Sequence, residues 1–174
     1  GILNQCKLNT VKPGDTVRAG TTMSVEFVRV NHSIPDACAF AIRTPAGLIV
    51  LTGDFKVDFT PISGEPIDLV RFGELGSEGV LALLSDSTNA EKPGSTPSER
   101  IVGESFEKLF KRAADKRIII ATFASNVHRI QQVVDTAVRF DRKVAVFGRS
   151  MVNVVAIAQE LGYLTIPAGI LIDA

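Results

Sequence analysis

The chain has 174 residues, which is enough for one sizeable hydrophobic core or two small ones. Apolar residues make up 45% of it and charged residues 22%, a balance that is typical of soluble globular proteins and excludes a disordered chain. No apolar run approaches the roughly 18 residues of a membrane-spanning helix, and no basic stretch followed by an apolar one indicates a signal peptide. We therefore expect no membrane partner.

The formal net charge of zero hides an uneven distribution. Residues 97–149 carry 11 Lys/Arg against 6 Asp/Glu, so this part has a charge of +5 and the rest of the chain −5. Solvated helix faces would explain this, as would a basic part that attracts a polyanion beside an acidic part that holds cations. Cys6 and Cys38 show neither metal-binding nor disulfide spacing, which favours a cytoplasmic location.

The first part of the sequence favours β-structure. Short runs that alternate or are rich in β-branched residues are bounded by turn residues. The predicted strands cover residues 8–11, 16–19, 23–30, 37–44 and 47–51. Residues 59–79 are rich in Pro and Gly, so we expect a loop there with one helical turn near 67–72.

From residue 80 onward the pattern changes. Residues 80–84 form a continuous apolar run, as expected for a strand that is buried on both faces. Thr96, Pro97 and Glu99 have the spacing of a helix start with Thr as N-cap. Further strands are predicted at 117–123, at 143–147 and from 165, with helices from 126 and at 151–161. This order predicts a β-rich part at 1–96 and a doubly wound parallel α/β part at 97–174.

Two polar groups follow predicted strands in the first part. His32 comes directly after the strand at 23–30, and Asp54 comes after the strand at 47–51. Loops at strand ends are held on rigid supports, and a neutral imidazole beside a carboxylate suits a divalent metal such as zinc. On spacing alone, a hydrogen-bonded core pair or a turn-forming Asp explains the same residues.

The segment 122–129 leaves one predicted strand and opens a helix. Ser125 is a natural N-cap, and the exposed amides of the first turn suit a phosphate group. Phe123 could stack on a base or belong to the core. His128 and Arg129 could contact phosphates or form a solvated face.

Four motifs occur in order along the chain. They are HSIPD at 32–36, TGDFK at 52–56, SDSTN at 85–89 and FASNVHR at 123–129. Together they resemble the bacterial ribonuclease J family over essentially all of the sequence. The resemblance implies an α/β chain: part of a metallo-β-lactamase αββα sandwich at 1–96, followed by part of a doubly wound β-CASP domain at 97–174.

The resemblance also implies roles for individual residues. His32 would bind one of two zinc ions, Asp54 would bridge both, and Asp86 would face the metal centre. Residues Phe123, Ala124 and Ser125 would contact single-stranded RNA, and we extend this surface to Asn126, His128 and Arg129. The complete protein would be an endonuclease and 5′-to-3′ exonuclease in RNA processing and decay. It would form homo-oligomers and could bind other RNA-decay proteins.

The sequence departs from the family pattern in its metal ligands. The His-x-His-x-Asp-His motif, the last metal histidine and the Gly-His-Ala segment are absent, because His32 and His128 are the two histidines. We therefore expect a segment of a longer protein that is inactive alone, binds metal weakly and exposes apolar surface near Val80 and Leu83. Alternatives are a β-CASP hydrolase acting on DNA and a non-catalytic RNA-binding α/β module. Against a nucleotide-binding module, no glycine-rich phosphate loop follows any strand.

Overall fold

The computed structural model describes residues 2–173 and divides the chain into two compact units. The first unit contains the residues up to 31 together with 36–57 and 66–93. The second unit contains 32–35, 58–65 and the residues from 94 onward. The predicted boundary at 96/97 lies close to the last change of unit, although two short loop segments of the first half are assigned to the second unit.

The first unit is a mixed sheet with one helix. Its elements are a 3₁₀ turn (Ile2–Gln5), β1 (Thr16–Ala19), β2 (Met23–Arg29), β3 (Cys38–Thr44), β4 (Gly47–Leu51), α1 (Leu69–Glu78) and β5 (Val80–Leu84). The strands lie in sequence order, with antiparallel pairs up to β4 and a parallel pair between β4 and β5. The predicted strand at 8–11 is wrong, since no strand is present there.

The core of this unit lies on one face of the sheet. Alternating residues of β2, β3 and β4 point to that face, where they pack with Leu75 of α1. The buried strand residues are Val28, Ala39, Ala41, Leu48 and Val50. Asp68 caps α1 by accepting a hydrogen bond from the Arg71 amide. The helix therefore extends well beyond the single turn that the sequence predicted.

The strand β5 is present but is not buried as its composition predicted. It is one of the two edge strands of the five-stranded sheet and is paired with β4. Leu81 is 61% exposed and Leu83 64% exposed, although these residues would normally lie in a core. The expectation of exposed apolar surface near Val80 and Leu83 is thus confirmed.

The second unit consists of three helices and a small parallel sheet. Its elements are α2 (Arg100–Arg112), α3 (Val127–Arg139), β6 (Val144–Ala145), α4 (Arg149–Glu160) and β7 (Leu171–Ile172). One apolar cluster joins α2 to α3 through Phe106, Phe110 and Ala137. A second cluster joins the start of α3 to α4 and contains Val127, Ile130, Val155, Ala158 and Leu164. The predicted α/β class is confirmed.

The predicted start of α2 and the strand predicted at 117–123 are wrong. The helix α2 begins at Arg100 and not at Pro97 after a Thr96 N-cap, because Asp58 and Ser98 accept the amide hydrogens of Glu99 (3.3 Å) and Arg100 (3.4 Å). Residues 117–123 form no ladder within the described part of the chain, so the strand predicted there is absent. None of the helices within residues 2–173 has the length and hydrophobicity of a transmembrane segment.

Candidate functional site

The strongest candidate site lies where β4 and β5 end side by side. Leu51 and Leu84 are register partners in this parallel pair. Parallel strands bring their carboxyl ends to the same edge of a sheet, which is where α/β proteins place ligands. Asp54 follows β4 by three residues and Asp86 follows β5 by two residues.

The two aspartates line one open cleft of ≈ 280 Å³. The lining is completed by Leu51, Gly53, Leu84 and Ser85. Asp54 is exposed and Asp86 is half-buried, with its Oδ1 accepting a hydrogen bond from the Thr88 amide at 2.9 Å. This bond forms an Asx turn that orients the Asp86 carboxylate. The structure thus brings together the two carboxylates to which the sequence assigned chemistry.

A buried threonine joins the two strand ends. Thr52 is 6% exposed, and its amide donates to the carbonyl oxygen of Leu84 at 3.0 Å. Its hydroxyl accepts the Asp86 amide hydrogen at 2.9 Å and donates to the carbonyl oxygen of Gly53 at 2.8 Å. Sequence reasoning missed this residue. The signal that could have revealed it is a hydroxyl directly after a buried β-branched run and before a glycine.

The structure places His32 in the loop between β2 and β3, in a segment assigned to the second unit. Its ring is half-buried, and Nε2 lies 3.4 Å from the Ser33 hydroxyl. Among residues 2–173, no three His, Cys, Asp or Glu side chains converge on a point that could hold a metal ion. Burial, and then the charge of Asp36, raise the pKa of the Cys38 thiol, so this cysteine stays protonated at neutral pH and is a poor metal ligand.

The predicted RNA-contacting segment surrounds the start of α3. Phe123 is 83% exposed, which excludes the alternative that it belongs to the core of this unit. Asn126 is the N-cap, because its side chain accepts the Arg129 amide hydrogen at 3.1 Å. The prediction of Ser125 as N-cap is therefore wrong by one residue. Ala124 and His128 are half-buried at this end of the helix, and Ser125 is exposed.

Arg129 forms an ion pair within the second unit. Its guanidinium forms an ion pair with Glu99 at 2.6 Å, next to the start of α2. The Gln132 side chain donates to the carbonyl oxygen of Glu99 at 2.9 Å. These contacts fix α3 against the start of α2. A phosphate contact by Arg129 would have to share its guanidinium with Glu99.

Known proteins resemble the chain over nearly its whole length. The family described as ribonuclease J, beta-CASP domain, matches residues 115–174, which lie in the second unit. Ribonuclease J of a Synechocystis species is 50% identical over 167 residues, covering 96% of this chain and 26% of that protein. Ribonuclease J 1 of Streptococcus pyogenes is 52% identical over 151 residues, covering 87% of this chain and 27% of that protein. Ribonuclease J of Thermus thermophilus is 46% identical over 159 residues, covering 91% of this chain and 28% of that protein.

A solved structure shows the same fold. The crystal structure of a protein of unknown function from Enterococcus faecalis matches with a TM-score of 0.68 and 20% identity, over 96% of this chain and 41% of that one. The chain spans about a quarter of the length of the curated relatives described above. The identities of 46–52% and the matching β-CASP domain support the assignment of this chain as a fragment of the ribonuclease J family.

Proposed function

We propose that the complete protein containing this sequence is a zinc-dependent ribonuclease. The observation that carries the proposal is the pair Asp54 and Asp86 at one open cleft, at the ends of two parallel strands. Hydrolysis of a phosphodiester at a metal site needs oxygen ligands that hold the cation and orient the attacking water. The identity to ribonucleases J supports RNA as the substrate.

Three residues of this chain would take part in the metal site. Asp54 would bridge two metal ions, Asp86 would orient the site and His32 would bind one ion. Their donor types fit a divalent cation, since carboxylate and imidazole both bind zinc. Their number does not fit a complete site, because a catalytic zinc normally has about three protein ligands and no such group converges within residues 2–173. The missing ligands would come from outside these residues.

The start of α3 would guide the RNA strand. Phe123 is exposed and available for stacking on a base, which is how proteins hold single strands without reading their sequence. Residues 124–126 lead into the first turn of a 13-residue helix, and the positive end of the helix dipole favours a phosphate group there. Arg129 would add positive charge at this end, and the His128 ring would offer a hydrogen-bonding group. The +5 charge of residues 97–149 supports an anionic partner.

The test is RNA hydrolysis by the complete protein and its Asp54→Asn and Asp86→Asn variants. Both variants are expected to lose at least about 100-fold in kcat, as is usual when an electrostatic group at a reaction centre is removed. The matched control is Asp135→Asn, which changes an exposed carboxylate on α3 that accepts a hydrogen bond from Gln131. Full activity in both site variants would refute the assignment.

The choice of substrate separates the proposed activity from its alternatives. We expect cleavage of single-stranded RNA with a 5′ monophosphate and no cleavage of the matching DNA. Cleavage of the DNA alone would indicate a β-CASP hydrolase that acts on DNA. Salt-dependent RNA binding that is lost in Phe123→Ala, without hydrolysis under any metal condition, would indicate a binding module.

We also propose that the complete protein acts in the cytoplasm as a homo-oligomer. The free cysteines Cys6 and Cys38 are compatible with a reducing compartment. The exposed apolar residues of β5 are compatible with further contacts of this sheet. Sedimentation of the complete protein would test the oligomeric state, and co-purification would test contacts with other RNA-decay proteins.

A further inference from the structure

The pairing of β4 and β5 continues one step beyond the strands through a side chain. The Thr52 amide donates to the carbonyl oxygen of Leu84, as in a regular parallel ladder. The next ladder bond would run from the Asp86 amide to the carbonyl oxygen of Thr52. Instead, the Asp86 amide donates to the Thr52 hydroxyl at 2.9 Å. A side chain therefore replaces the main chain at the point where the cleft begins.

The local backbone explains this replacement. Gly53 has φ +58°, a left-handed conformation that turns the chain away from β5 directly after Thr52. The hydroxyl of Thr52 donates to the Gly53 carbonyl at 2.8 Å while it accepts from Asp86, so its donor and one of its acceptor positions are both used. With Thr52 only 6% exposed, water cannot easily replace these bonds.

We propose that Thr52 is a positioning residue that fixes the spacing of the Asp54 and Asp86 carboxylates across the cleft. Its bonds join the backbone of Asp86 to the turn that leads into Asp54. The Asp86 carboxylate follows its own backbone, because its Oδ1 is held by the Thr88 amide. The inference rests on the proposed function in one respect, namely that these carboxylates serve the reaction.

The test uses the complete protein with Thr52→Val and Thr52→Ser. Valine keeps the shape of threonine but removes the hydroxyl, whereas serine keeps the hydroxyl. The matched control is Thr136→Val, because Thr136 is 2% exposed and its hydroxyl donates to the Gln132 carbonyl within α3, in the other unit. Amide hydrogen exchange over residues 84–88, retention of zinc during dialysis, and kcat and KM on single-stranded RNA are measured for each variant.

Removing a group that orients a metal ligand typically lowers metal affinity or activity by about 10- to 100-fold. We expect the zinc affinity and the kcat of Thr52→Val to fall by a factor in that range, with KM unchanged. The amide hydrogens of residues 84–88 should exchange faster in this variant than in the wild type. Thr52→Ser and Thr136→Val should behave as the wild type in all three measurements. Wild-type exchange at residues 84–88 in Thr52→Val would overturn the proposal.

The exchange measurement separates this inference from the proposed function. If the wild-type protein cleaves no RNA, the proposed function fails, yet faster exchange at residues 84–88 in Thr52→Val would still support the positioning contact. If the wild type cleaves RNA and Thr52→Val keeps its kcat and zinc affinity, the positioning role is refuted and the proposed function stands.

Discussion

The ion pairs around Glu26 allow a quantitative prediction about stability. Glu26 lies on the core-facing side of β2 and is 9% exposed. The guanidinium of Arg71 on α1 binds both of its carboxylate oxygens, at 2.6 and 3.0 Å. Arg43 on β3 binds it at 2.8 Å. Glu78 at the end of α1 pairs with both arginines, so the network joins the helix to two strands.

The expected magnitude follows from the pKa of Glu26. Hydrogen bonds from Arg71, opposed by burial and assisted by Arg43, lower this pKa from 4.5 to about 2. Since each pKa unit corresponds to about 1.4 kcal/mol, the lowering is equivalent to roughly 3 kcal/mol. The side chains of Arg71 and Arg43 are 26% and 36% exposed, so screening by solvent reduces the expected contribution. We expect Glu26→Gln to lower the free energy of unfolding by about 2 kcal/mol at pH 7.

The pH dependence distinguishes this ion pair from simple packing. Because the folded pKa lies below the unfolded one, the stabilisation is complete above pH 4.5 and is lost as the pH falls towards about 2. Urea unfolding of wild type and Glu26→Gln should therefore differ at pH 7 and converge at low pH. The control Glu74→Gln removes a 56% exposed partner of Arg71 and should change stability by less than about 0.5 kcal/mol. A Glu26→Gln difference that is independent of pH would refute the reasoning.

Three further predictions concern the site and its supports. After dialysis, the 174-residue chain alone should retain far fewer than about two zinc ions by mass spectrometry, because a stable zinc site normally has three or four protein ligands; about two per chain would contradict this. Gly53→Ala should lower the free energy of unfolding by about 1 kcal/mol, because φ is +58° and the added Cβ would lie 3.4 Å from the Cys38 carbonyl oxygen. The control Gly73→Ala lies in α1 with nothing within 4 Å and should be neutral or stabilising. Asn126→Ala should lower the free energy of unfolding by about 1 kcal/mol, because α3 loses its N-cap. An equal effect of Ser125→Ala would contradict the observed cap.

The sequence pattern correctly predicted the elements that depend only on neighbouring residues. The strands β2, β3 and β4 were found because alternation, β-branched residues and short turns specify an antiparallel meander. The start of α2 was missed because it depends on Asp58, which is 41 positions away from its hydrogen-bond partner Glu99. The segment 117–123 has the composition of a strand, but a strand also needs a neighbour to pair with, and composition does not supply one.

The same distinction explains what could be predicted of the site. Asp54 was identified because it follows an apolar strand, and strand ends are visible in a single sequence. The role of Asp86 was implied by the resemblance to the ribonuclease J family. Their common cleft depends on the parallel pairing of β4 with β5, and such pairing is set by the crossover through α1. The Thr52 contact with Asp86 spans 34 positions, so a local pattern could mark Thr52 but could not identify its partner. It follows that the residues that carry charge could be found from the sequence, whereas the residue that fixes their geometry required the fold.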